Sequence, residues 1–207
     1  MENKTLLHAC CAVCSGRPIS MLENAVLDFD SSQKRGFARS DELANAPFSS
    51  KSAVVYFYNP NIFPAQEYQR RLEAQRILCK HFECELIGEE YEPAQFTTAA
   101  AGLENEPEKG ARCDKCFELR LEKTALKAKE LGIKQFSTTL GISPHKDSEK
   151  IAAIGRKIAA KHGLQYLDID FQDGFRKTNQ IAKELGLYRQ NYCGCKQSYC
   201  NKLKSSV

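Results

Sequence analysis

Seven of the ten cysteines in this 207-residue chain fall into three groups that lie far apart in sequence. Cys10, Cys11 and Cys14 follow an apolar run, Cys113 and Cys116 lie mid-chain, and Cys193 and Cys195 flank Gly194 near the end. A fold that uses these thiols together must bring the start, middle and end of the chain to one place. Thiols gathered in that way serve a metal centre or a redox pair. No other feature narrows the architectures open to this chain as much.

The chain is long enough to bury a sizeable core, and one domain over 1–207 is expected. A hydrophobic content of 42% and a charged content of 27% are ordinary for a globular protein. No apolar run reaches the length of a membrane span, and the first residues lack the basic start and apolar stretch of a signal peptide. A cytoplasmic protein with no membrane partner is therefore expected, in a compartment that keeps thiols reduced. There, ten cysteines argue for metal binding or catalysis over structural disulfides. The net charge of +4 alone implies no polyanionic partner, but its distribution is uneven. From 189 to 207 the basic residues are Arg189, Lys196, Lys202 and Lys204, and there are no acidic ones. Such a basic C-terminal tail is either a solvated charged end or a contact for phosphates.

Strand and helix patterns alternate along the chain. Thr5–Ala9, Val54–Tyr58, Cys84–Ile87, Gln135–Leu140 and Tyr166–Ile169 read as short strands, several rich in β-branched and aromatic residues. Helical periods run through Ile19, Leu22, Ala25 and Val26, with Pro18 expected in the first turn. Others run through Tyr68, Leu72, Ile77 and Leu78, from Phe117 to Leu131, through Ile151, Ile154 and Ile158, and from Thr178 to Leu185. This alternation predicts an α/β fold, a mostly parallel sheet with helices on both faces. Such sheets bind ligands beyond the carboxyl ends of their strands. Cys10 to Cys14, Asn59 to Asn61 and Ser143 to Lys146 all follow strands and should open onto one crevice. The polar stretch 28–52, far longer than a usual helix-to-strand loop, is expected to be a surface insertion.

The pair Cys113 and Cys116 has the spacing of two ligands to one metal or cluster, and also that of thioredoxin-like redox helices. With Cys10 and Cys11 it makes four thiolates, enough for a tetrahedral zinc or a [4Fe–4S] cluster. Adjacent cysteines chelate one small ion poorly, whereas a cubane offers each its own iron, and this favours the cluster. Cys193 and Cys195 can bind one metal as a pair or close a strained, labile disulfide, with Gly194 giving the turn its freedom. Cys14 remains, able to join Cys193 and Cys195 around a second, mononuclear ion of iron or zinc. Cys79 and Cys84 read as small core residues, and His8 as a packed residue of the first strand.

Several ordered motifs resemble those of the QueH-type epoxyqueuosine reductases, cobalamin-independent enzymes that finish queuosine in tRNA. They include Leu7-His8-Ala9-Cys10-Cys11, Phe57-Tyr58-Asn59-Pro60-Asn61-Ile62 and Glu67-Tyr68 followed by Arg71. Arg112-Cys113 with Cys116-Phe117, Ser137-Thr138-Thr139-Leu140, and Leu187-Tyr188-Arg189-Gln190 leading to Tyr192-Cys193-Gly194-Cys195 continue the likeness. The resemblance implies the nucleotide-binding fold class related to ATP pyrophosphatases. It implies a [4Fe–4S] cluster on Cys10, Cys11, Cys113 and Cys116, with Cys193 and Cys195 redox-active or bound to an adjacent metal. It also implies reduction of epoxyqueuosine at the tRNA wobble position, with an unidentified electron donor. His145 departs from the family, where tyrosine or arginine is usual.

Expected substrate contacts are Tyr58, Asn59, Asn61, Tyr68, Arg71, Lys146, Tyr188, Arg189 and Tyr192. The tyrosines among them are candidates to stack on a flipped base, and Tyr192, Lys146 or a Cys193/Cys195 thiol to donate a proton. Two other readings stay open at this point: a zinc-dependent tRNA-modifying enzyme, and a metal-stabilised RNA-binding module.

Overall fold

The computed structural model describes residues 4–24, 52–144 and 146–204. Five strands, β1 (Thr5–His8), β2 (Ala53–Phe57), β3 (Glu85–Gly88), β4 (Gln135–Thr138) and β5 (Gln165–Tyr166), form one sheet in the order β3-β2-β1-β4-β5. Every pairing is parallel, with Leu6 opposite Val54 on one side and Phe136 on the other. The expected parallel α/β architecture is therefore present. Among the described residues, seven helices accompany the sheet: α1 (Ala12–Asn24), α2 (Ala65–His81), α3 (Pro93–Ala99), α4 (Ala111–Glu130), α5 (Ser148–His162), α6 (Phe175–Glu184) and α7 (Lys196–Lys204). No helix among the described residues is long and apolar enough to cross a membrane.

The two-residue period of the central strands divides the core. Leu6, Val54, Tyr56 and Phe136 face Leu121 and Ala125 of α4 and Ile151 and Ile158 of α5. Leu7, Val55 and Phe57 face Ile19 of α1, Leu72 and Leu78 of α2 and Ala182 of α6. Both faces are covered, so the central strands are apolar on both sides. α5 shows how its ends are fixed: the Asp147 carboxylate accepts the Lys150 N–H at 3.0 Å, and Gly163 closes the helix at φ 66°. Inside α5, Gly155 lets the Tyr166 ring approach so closely that a Cβ would lie 2.5 Å from it. Gly155→Ala should cost about 1–3 kcal/mol through overpacking. An unchanged midpoint in chemical denaturation would refute that close approach.

Several boundaries differ from the sequence expectation, and each has a local cause. α1 begins at Ala12, so Pro18 lies inside it and supplies no N–H to the Cys14 carbonyl. β4 stops at Thr138, whose hydroxyl accepts the Leu140 N–H at 3.2 Å and starts a tight 3-10 turn over Thr139–Ile142. β5 is only two residues long, at the sheet edge. α4 starts six residues before the expected Phe117, because the Glu106 carboxylate accepts the Ala111 N–H at 3.2 Å and buried Arg112 donates to the Glu104 and Glu106 carbonyls. Helices α3 and α7 are additional, and α7 occupies the expected basic tail. Apart from Ser52, the 28–52 stretch lies outside the described residues, as do Ala25, Val26 and His145. Ser52 is buried and donates its hydroxyl to the Leu22 carbonyl at 3.1 Å.

The strand order reverses direction between β1 and β4, and that is where a parallel sheet opens a crevice at its carboxyl edge. Cys10 follows β1 there, Asn59 follows β2, and Thr139 follows β4.

Candidate metal centre and substrate pocket

The Cys10, Cys11 and Cys14 sulfurs all lie within 4.8 Å of one another at the start of α1. Cys11 Sγ is 3.9 Å from Cys10 Sγ and 2.8 Å from Cys14 Sγ. The Thr139 hydroxyl reaches Cys10 Sγ at 3.3 Å and the Gln190 amide donates to Cys11 Sγ at 2.7 Å, so the β4 turn and the chain after α6 both converge here. Hydrogen bonds from Cys11 and Cys14 hold the Cys10 thiol well below the ordinary range. Burial, then the bond to Cys10, pushes Cys11 up to about 12.

Beside this triad is a pocket whose wall includes Cys113, Cys116, Cys193, Cys195, Asn61 and Lys146. Cys113 and Cys116 lie near the start of α4, as a consequence of its early beginning, and Cys113 Sγ accepts the Lys109 N–H at 3.3 Å. Burial raises both thiols, Cys116 to about 11. Gly194 turns the chain at φ 131°, which leaves Cys193 exposed and Cys195 buried. All ten cysteines are free thiols. The Cys193 and Tyr192 carbonyls accept from the Arg71 guanidinium at 3.1 and 3.2 Å, and the Gly194 carbonyl accepts the Phe63 N–H at 2.8 Å. The Cys-Gly-Cys turn is therefore held from behind by α2 and the loop that follows β2.

The pocket is also cationic at its base. Burial opposes the charge on Lys146, but the Cys10 and Cys193 sulfurs outweigh it and keep its pKa above the usual lysine range. Arg120, only 3% exposed, stands one helical turn beyond Cys116 and donates to Cys116 Sγ at 3.9 Å and to the Asn59 side-chain oxygen. It has no carboxylate partner among the described residues. Burial, and after it Arg120, lowers His8 to about 3, so this histidine is neutral. A buried guanidinium without a counter-anion is costly. An anionic thiolate centre supplies the missing charge, so the residues present suit a metal held by cysteines. The triad offers three sulfurs to one metal ion, although Cys11 and Cys14 stand closer than the roughly 4 Å that two sulfurs of a tetrahedral site keep.

The other expected site residues fall in several places. Asn61, 4% exposed, lines the pocket with a side-chain oxygen that lacks a hydrogen-bond partner among the described residues. Asn59 is structural to the site, donating to the Ala9 carbonyl at 2.9 Å while accepting from Arg120. Tyr68 packs in the core against Phe57 and Tyr91 and donates to the Glu89 carbonyl at 2.6 Å. Tyr58 is buried beside Tyr56, and its hydroxyl has no partner. Tyr188 donates to Glu67 at 2.7 Å, behind Arg71, and exposed Arg189 donates to Asn179 at 3.2 Å. Tyr192 stands over Arg71, 5.1 Å from ring centroid to guanidinium carbon. Sequence reasoning passed over Arg120, and named Arg112, Thr139 and Gln190 in the family motifs without a role at the site. Cys79 and Cys84 are buried, with the Gln75 amide donating to Cys79 Sγ at 3.4 Å. Cys79→Ala and Cys84→Ala should each cost about 1–2 kcal/mol and leave metal content unchanged. Loss of iron from either would overturn this division of the thiols.

The family model described as "Epoxyqueuosine reductase QueH" matches residues 40–201, which include the second and third cysteine groups. Curated proteins named epoxyqueuosine reductase are also similar. The one from Helicobacter pylori is 42% identical over 73% of this chain, and this chain spans 43% of its length. The one from Histophilus somni is 34% identical over 94% of this chain and 71% of its own. The Thermotoga maritima relative is 38% identical over 74% of this chain and 83% of its own. On the breadth of these matches, the chain belongs to the QueH family of epoxyqueuosine reductases.

Proposed function

We propose that this chain is an oxidoreductase that removes the epoxide oxygen of epoxyqueuosine at the wobble position of tRNA, in the cytoplasm. The observation that carries the reading is the pocket in which Cys113, Cys116, Cys193 and Cys195 meet Lys146 and the unpartnered Asn61 oxygen, in a chain of this family. The reaction takes in two electrons and two protons. Both epoxide carbon–oxygen bonds break, a carbon–carbon double bond forms, and the oxygen leaves as water.

Cys10, Cys11, Cys113 and Cys116 would hold a [4Fe–4S] cluster. When bound it supplies electrons one at a time from an external donor, which we take to be a small electron carrier. Cys14, Cys193 and Cys195 are assigned to a second, mononuclear iron or zinc ion, or Cys193 and Cys195 to a dithiol. As a dithiol the pair would release two electrons and two protons on closing to a disulfide, which balances the deoxygenation. Lys146, whose pKa the Cys10 and Cys193 sulfurs raise against burial, would give a proton to the departing oxygen. Asn61 offers its free oxygen to a donor on the substrate. Arg120 keeps Asn59 and the β1 end in register with α4.

The deciding experiment is anaerobic turnover of tRNA bearing epoxyqueuosine, coupled to metal analysis. Brown, iron-loaded protein should yield queuosine, and metal-stripped protein should not. A colourless zinc protein, or an iron-loaded one that leaves the epoxide intact, would sink the proposal in favour of a zinc enzyme or a binding module.

A further inference from the structure

Lys196, Lys202 and Lys204 are on α7, and that helix has no acidic residue. Its side chains meet an aromatic surface beside the Cys-Gly-Cys turn. Phe63 and Tyr199 pack edge to face with centroids 5.6 Å apart, and Tyr199 lies 5.4 Å from Tyr192. Lys196 Nζ stands 5.8 Å from the Phe63 centroid, and Lys202 Nζ stands 5.6 Å from that of Tyr192. Phe63 keeps 36% of its surface in water, and Lys196 is exposed. The platform is tied to the reacting centre, because the Phe63 N–H and carbonyl bond the Gly194 carbonyl and the Tyr192 hydroxyl respectively.

Rings interleaved with ammonium groups match the two parts of a single-stranded nucleic acid, its π faces and its phosphates. An acidic protein surface would engage the lysines and leave the ring faces idle. A base that enters the pocket must leave its stack, and its neighbours then lose their own stacking partners. We propose that Phe63, Tyr199 and Tyr192, with Lys196 and Lys202, form the surface on which the nucleotides flanking the reacting base land. Flanking bases stack on Phe63 and Tyr199, and their phosphates run along α7. This inference rests on the tRNA reading above and adds to it the surface that carries the RNA.

The test uses the full, metal-loaded chain and a fluorescent RNA stem-loop of unmodified bases, with binding followed by anisotropy over a salt series. Lys196→Ala combined with Lys202→Ala should weaken binding about tenfold at low salt. It should also flatten the log–log salt slope by about 1.4, two phosphate contacts at roughly 0.7 each. Phe63→Leu, which keeps apolar bulk but removes the π face, should weaken binding about tenfold with the slope unchanged. Wild-type affinity and slope in the double lysine variant, or wild-type affinity in Phe63→Leu, would overturn the surface. Turnover of epoxyqueuosine RNA by the wild-type chain is measured alongside. Absence of turnover defeats the proposed function, whereas turnover with unaltered binding in the variants defeats this surface alone.

Discussion

Cys113→Ala is expected to abolish epoxyqueuosine reduction, by at least roughly a thousandfold, the scale on which removing a reacting group acts. The variant should also be purified without its iron and without broad visible absorption. Cys113 is half-buried near the start of α4 and faces the pocket with Cys116. Alanine leaves three of the four sulfurs that the cluster assignment requires. A second consequence follows from charge. Arg120 is buried beside Cys116 with no carboxylate partner among the described residues, so losing the anionic centre leaves its guanidinium uncompensated. Thermal stability should therefore fall with the iron, and added iron should restore it in the wild type but not in the variant. Full activity in an iron-free Cys113→Ala protein would end the cluster assignment.

How far the sequence could lead is clearest at α4. The cysteine spacing marked Cys113 and Cys116 as a pair, and the apolar period marked a helix after them. What joined the two was the Glu106 carboxylate bonding the Ala111 N–H, together with the Arg112 side chain bonding two carbonyls. These contacts extend the helix over both cysteines. Once the helix starts at Ala111, Arg120 falls one turn beyond Cys116, and a cation beside that sulfur becomes readable from spacing alone. The central strands were legible because both of their faces are buried, which gives continuous apolar runs. β5 was overestimated because the Tyr166–Ile169 run is at the sheet edge, where pairing ends after two residues. α7 stayed hidden because it contributes no fully buried side chain, so no apolar period announces it. Tyr68 could not be sorted from Tyr192 by sequence. Both are aromatic residues near turns, and only tertiary packing puts one in the core and the other above the Cys-Gly-Cys turn.

Arg71→Leu should release that turn while leaving α2 able to form. Arg71 is 2% exposed, and each of its three side-chain nitrogens makes a hydrogen bond. Its Nε donates to Glu67 Oε1 at 2.7 Å, and its terminal nitrogens donate to the Cys193 and Tyr192 carbonyls. Glu67, 5% exposed, also accepts the Tyr188 hydroxyl at 2.7 Å. Leucine fills much of the space but strands the Glu67 carboxylate without its cation and two carbonyls without donors. Breaking a buried pair from one side costs about 3–5 kcal/mol, or on the order of 10 °C in melting temperature for a chain of this size. The local effect separates this residue from an ordinary core position. Cys195, buried in the native turn, should become rapidly alkylated, and turnover should fall because the thiols no longer face Lys146 and Asn61. Glu67→Gln keeps the Arg71 bonds to the turn while weakening the ion pair. It should lower the melting temperature without exposing Cys195. If both variants alkylate at the wild-type rate, Arg71 supports α2 alone. If Arg71→Leu alone opens the turn, the buried guanidinium is what holds the Cys-Gly-Cys pair at the pocket.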